Sequence, residues 1–395
     1  MSTASAPTVE RLAAPTARRA DSFAPPYREF EWRLSRLRSA LDDDELDAVL
    51  VYGWPWRSEN VRYLTGARTT GGASLVLVTR DDEVRALASD VRDAVAIRRA
   101  GWIHEVDDGL RAGSNRVQQL LRGTGPRIGV SQIEFMPTAL LGAVREAAGG
   151  AELVPASSLF DRLRLVKSPW EHSCVRDAVR IAVDGWSSLM AELRPGLKEY
   201  EAVAIVEREL KRAGAEDNFM LIAFGNSEVR GMHPPENRPL ASNEFVRTEL
   251  TPQFDGYYAQ ICRTGFLGDP TDEQFQAYDA FIAALEAGIA TVRAGVTAGE
   301  VAVAENNVLR ARGLGEYTKS KYMRVRGHGV GIHVDEIPAI REGEGLEIPS
   351  GATFVVHPNT YNPVGYIVVG DEVIVTDSGS ERLSTAEFVL PSKVV

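Results

Sequence analysis

The sequence predicts an α/β domain followed by an α+β domain, and three observations carry that reading. Short apolar runs alternate with amphipathic helical stretches as far as about residue 160. A helix-start signal, Ser168-Pro169, then opens a long amphipathic stretch that Pro195-Gly196 stops. Beyond it, helical stretches and strand-like runs suit helices flanking a largely antiparallel sheet.

The elements follow in order. Phe30, Leu34, Leu37 and Leu41 recur at helical spacing, and AVLVY (48–52) is a short buried-strand run. ASLVLVT (73–79), VRALAS (84–89) and PRIGVS (126–131) repeat the strand theme, with SDVRDAVAIRRAG and PTALLGAVREAAGG as helices between them. In the second half, YEAVAIVERELKRAG (200–214), DEQFQAYDAFIAALEAGIATVRAG (272–295) and EVAVAENNVLRARGLG (300–315) read as helices. FMLIAFG, TELTPQF, YYAQICRTGFLG, TFVVHP and GYIVVGDEVIVT read as strands. This places one domain over residues 27–160 and a second over 165–395. Residues 1–26 are rich in Ala, Pro, Thr and Arg, lack the apolar stretch of a secretion signal, and are expected to form a flexible tail.

Composition narrows the class. A net charge of −11 leaves no basic footprint for nucleic acid. No run of about 18 apolar residues is present, so no membrane partner is expected. Two cysteines, Cys174 and Cys262, make no disulfide framework and fit a reducing cytoplasm. A small-molecule substrate is the expected partner.

Several motifs then occur in one order: RYLTGA (62–67), LVKSPWEHSCVRDA (165–178), FDGYYAQICRT (254–264), RGHGVGIHVDEIP (326–338), VVHP (355–358) and GDEVIVTDSGSERLS (370–384). Together they resemble the pita-bread family, which includes methionine aminopeptidase, Xaa-Pro aminopeptidase, prolidase and the metal-free creatinase. The resemblance implies a creatinase-like N-terminal α/β domain and a pita-bread α+β catalytic domain. It also implies a homodimer in which the N-terminal domain of one copy reaches the other's pocket.

The family's peptidases hold two metal ions with two Asp, one His and two Glu. By motif, these positions fall on Glu249, Gln260, His328, His357 and Gly370. One carboxylate remains of four, and hard divalent ions need anionic oxygens. No cofactor is therefore expected. The alternative is one Fe, Zn or Mn ion held by Glu249, His328 and His357, a two-His-one-carboxylate set. The family's substrate-side histidine matches His233. Imidazole serves as acid or base near neutrality, so His233, His328 and His357 with Glu249 form the expected catalytic group.

Strand alternation in YYAQIC points Tyr258, Gln260 and Cys262 the same way, toward substrate. Arg68, in the loop the family extends toward its partner, is a candidate carboxylate clamp. His333 and Asp335 complete the expected substrate contacts. The resulting expectation is a metal-independent hydrolase of a C–N bond in a small amidino, amide or cyclic amidine compound. A mononuclear metal-dependent Xaa-Pro peptidase or lyase, and a non-catalytic small-molecule binding protein, stand as alternatives.

Overall fold

The computed structural model describes residues 25–81, 83–319, 321–384, 390 and 392–393. Nearly all of the expected tail, residues 1–24, lies outside them. Six strands build the N-terminal sheet: β1 (Ala48–Gly53), β2 (Ser74–Thr79), β3 (Val84–Ala88), β4 (Glu105–Asp107), β5 (Arg127–Ser131) and β6 (Glu152–Pro155). Their order is β4-β3-β2-β1-β5-β6, with β1 antiparallel to β2 and parallel to β5. The sheet is mixed, as the alternating pattern predicts.

The helix Pro169–Glu192 starts where Ser168 predicts. The Ser168 hydroxyl accepts from the Glu171 amide, and the Glu171 carboxylate accepts from the Ser168 amide, so two free donors of the first turn are satisfied reciprocally. Composition gave no hint of the buried Arg33 that ties the first helix to this one. Its guanidinium donates to Glu29, to the Tyr63 carbonyl and to Tyr257 Oη. One apolar cluster accordingly runs without a break from Phe30 through Trp186 to Leu250 and Ile332.

The second half contains two larger sheets. The first holds β7 (Asp217–Gly225), β8 (Glu244–Phe254), β9 (Tyr257–Tyr258), β10 (Ile261–Leu267) and, paired parallel to β10, the short Ser392–Lys393. The second holds β11 (Gly327–Gly329), β12 (Glu336–Ala339), β13 (Thr353–Val356) and, further on, Asp371–Val375 and Ser380–Arg382. Between them in sequence lies the hairpin β14 (Thr360–Asn362) and β15 (Gly365–Ile367), so Asp371–Val375 is β16 and Ser380–Arg382 is β17. Cys262 pairs with Gly370 and joins the two sheets. The helices Asp272–Thr291 and Ala298–Ala311 pack a second apolar cluster against β13 and β16, including Phe281, Leu285, Val301, Phe354, Val356 and Val373.

Two predicted strands are in fact broken. YYAQICRTGFLG divides at Ala259–Gln260 because the Ala259 amide turns to Pro252 O and the Gln260 amide to Glu372 Oε2. GYIVVGDEVIVT divides into β15 and β16, leaving 368–370 to cross from the hairpin to the sheet. Among the described residues no helix is long and apolar enough to cross a membrane.

Candidate active site

Glu249 on β8 and Cys262 on β10 are directly opposed across the ladder. Asn359 Nδ2 donates to Glu249 Oε1 at 3.2 Å and lies 3.6 Å from Cys262 Sγ; Gln260 Nε2 lies 3.4 Å from the same sulfur. In the other sheet His328, Val355 and Glu372 form one cross-strand row. His357, two residues beyond Val355, continues that face, and its ring lies 5.3 Å from that of His328 at 72°. The Cys262–Gly370 junction brings the two groups together. Glu249, Gln260 and Cys262 thus form one group and His328 and His357 another, on either side of that junction.

Burial sets their chemistry. The Glu249 carboxyl is pushed up to about 7 by desolvation, against the Asn359 amide that favours its charged form. Desolvation, followed by the neighbouring His328, holds His357 well below the usual imidazole range. His357 is therefore neutral at pH 7. Both its ring nitrogens are buried without a partner. His328 Nδ1 lies 3.0 Å from Gly329 O, which only accepts, so that nitrogen bears a hydrogen. Burial, then the charge of Glu249, pushes the Cys262 thiol up, so it stays a thiol and no nucleophile.

A cavity of about 420 Å³ opens over Glu249. Leu221, Met232, Tyr361 and Tyr366 form much of its wall, with Arg230 and Lys321 exposed at its mouth. His233 follows directly on the lining residues, yet its Nδ1 is bound to Pro234 O at 2.8 Å.

The other expected substrate contacts go elsewhere. Arg68, Tyr258 and His333 line a separate cleft of about 300 Å³ between the two halves. Tyr258 leaves the face of Gln260 and Cys262 because the strand breaks between them, its amide donating to Gly331 O. Arg68 Nη1 donates to Glu216 O of its own chain at 3.3 Å. Asp335 is three-quarters exposed, 3.7 Å from His328 Nδ1. Gln260 is only 5% exposed, so it touches Cys262 and not the solvent-filled space.

Two residues of the site escaped sequence reasoning. Glu372 is fully buried with its carboxyl pushed up to about 8 by desolvation, and strand alternation from Gly370 could have found it. Asn359 sits in the turn after His357-Pro358, where no periodicity points anywhere.

With this geometry in hand, comparison with known proteins is informative. Residues 173–377 match metallopeptidase family M24, and residues 33–166 match the creatinase/prolidase N-terminal domain. A putative dipeptidase of Bacillus subtilis is 27% identical over 361 residues, 89% of this chain and 97% of that protein. A probable dipeptidase of Mycobacterium tuberculosis is 28% identical, covering 85% of this chain and 87% of its own. Among solved structures, an Xaa-Pro dipeptidase from Bacillus anthracis superimposes with a TM-score of 0.80 at 24% identity, covering 92% of this chain and all of that one.

These likenesses overturn two expectations. A metal-independent hydrolase of amidino compounds is not what a metallopeptidase family and dipeptidase relatives support, and neither is the expected absence of a cofactor. The five ligand positions nevertheless do not fit an ion pair. Glu249 is their one carboxylate, and Gln260 is turned to a thiol. A Cβ at Gly370 would meet His357 Cβ at 2.6 Å and Val356 O at 2.8 Å, so His357 stands where a side chain from 370 would have to emerge. Among the described residues no three His, Cys, Asp or Glu side chains are placed to hold an ion, the set Glu249, His328 and His357 included.

Gly370→Glu is accordingly expected to destabilise the fold by about 1–3 kcal/mol through overpacking, read as a lower denaturant midpoint. A variant as stable as the parent would show that His357 does not occupy that space.

Proposed function

Because the chain belongs to metallopeptidase family M24, we propose that it hydrolyses small peptides of the Xaa-Pro dipeptide type bound in the Glu249 cavity. The observation that carries this reading is the set of groups that cavity collects. Glu249 lines it together with Met232, Tyr361 and Tyr366, and with the exposed Arg230 and Lys321. A dipeptide ending in proline offers a scissile carbonyl to the carboxylate, an apolar ring to the tyrosines and methionine, and a carboxylate to the two cations. A volume of about 420 Å³ is suited to a ligand of that size.

The roles follow from the groups themselves. Arg230 and Lys321 attract the substrate carboxylate. The tyrosines and Met232 cover the pyrrolidine ring and exclude water. Glu249, ionising near neutrality, takes a proton from water at the scissile carbonyl. Relatives named as an Xaa-Pro dipeptidase from Pyrococcus horikoshii and as dipeptidases support the same substrate class.

Chromatography of Xaa-Pro dipeptides incubated with the protein, with Mn²⁺, Zn²⁺ or Fe²⁺ supplied, tests it. Free proline should appear, and amidation of the substrate carboxylate should raise KM at least about tenfold, the loss of one charge-assisted contact. No proline from any dipeptide with any of these ions would sink the reading.

A further inference from the structure

Asn359 is held from three directions. Its Oδ1 accepts from the Val369 amide at 3.0 Å, which leaves Nδ2 as the donor facing Glu249 and Cys262. Its main-chain carbonyl accepts from Arg326 Nη1 at 3.1 Å. Arg326, itself fully buried, is braced by Asn306 Oδ1 at 2.7 Å and by Met323 O at 2.9 Å, and its carbonyl accepts the His357 amide at 2.9 Å. Asn359 is 1% exposed and lies outside the cavity wall, so it does not meet the substrate directly. Among the described residues its Nδ2 is the one hydrogen-bond donor to the Glu249 carboxyl.

We propose that Asn359 is a positioning residue: its carboxamide, held by the Val369 amide on a main chain that Arg326 anchors, fixes the orientation of the Glu249 carboxylate toward the cavity. The physical case is one of lever arms. A glutamate has three rotatable bonds, and its carboxylate in a partly apolar cavity has few polar anchors. A rigid donor on one oxygen leaves the other oxygen aimed at the substrate. The second contact of Nδ2, on the Cys262 sulfur, keeps the amide plane from rotating. The amide cannot be flipped without placing Oδ1 against a carboxylate and losing the Val369 donor. An aspartate at 359 would supply an acceptor where Glu249 needs a donor.

This inference rests on the proposed function for one of its two tests only. The first uses turnover of an Xaa-Pro dipeptide. Asn359→Ala should lower kcat by about 10²-fold, the cost of a misplaced reacting group, with KM changed by less than about threefold. Asn359→Asp should be as poor, although it conserves shape. Equal kcat for parent and both variants overturns the proposal, whereas an inactive parent overturns the function instead.

The second test needs no activity. Thermal midpoints are measured for Asn359→Ala, Glu249→Ala and the double variant. A positioning contact predicts that the two shifts are not additive, the double variant losing less than their sum. Additive shifts would mean that the two side chains do not hold each other, and would end the proposal.

Discussion

Replacing Glu249 by glutamine is expected to lower kcat/KM for an Xaa-Pro dipeptide by on the order of 10²–10⁴-fold, the range for removing a general base. The substitution conserves shape and the contact with Asn359 while removing the ability to take a proton. The parent's rate should rise with pH through about 7, where the buried carboxyl ionises. The glutamine variant should lose that limb from its pH–rate profile. The same ionisation marks stability with the opposite sign. A carboxyl raised above its unfolded value binds more protons when folded, so this group's contribution to stability is complete below the ordinary carboxyl range. It is lost as pH rises toward about 7 and beyond. Glu249→Gln should flatten that fall in urea titrations taken between pH 4 and 8. An unchanged pH–rate profile in the variant would remove Glu249 from the proton transfer.

The largest effect on folding is expected from Asp371→Ala, at about 3–5 kcal/mol, the cost of stripping a buried charge of its partner. Asp371 is fully buried between two arginines: Arg263 Nη2 donates to one oxygen and Arg382 Nε to the other, each at 2.6 Å. Arg263 also donates through Nη1 to the carbonyls of Cys262 and Gly370, the pair that joins the two sheets. Removing the carboxylate leaves Arg263, itself 2% exposed, with an uncompensated charge at that junction. Chemical denaturation should show a large drop in midpoint, and the Glu249 site should loosen with it. A shift within about 0.5 kcal/mol, the range of neutral surface changes, would contradict this account.

The readable part of the site came from spacing. The resemblance to the family implied Glu249, Gln260, His328, His357 and Gly370, because each stands a set number of residues from a motif: Asp255-Gly256, the glycines flanking His328, Pro358 and Asp371. Their places along the chain were readable for the same reason. Which of them meets a ligand was not. Arg68, Tyr258 and His333 stand in their own cleft, since a strand break at Ala259–Gln260 depends on hydrogen-bond partners over 100 residues away, such as Glu372.

By itself the sequence determined the start of the helix at Pro169, the apolar face of the first helix, and the family to which the motifs belong. Those properties are local or periodic: a capping box needs residues 168 to 171 and nothing else. Only the tertiary structure decided that Asn359 reaches Glu249 across 110 positions of chain, that Glu372 shares a row with His328, and that His357 stands where a carboxylate at 370 would emerge. Those are outcomes of ladder register and of two sheets meeting at one pair of residues, and short-range patterns carry no information about either.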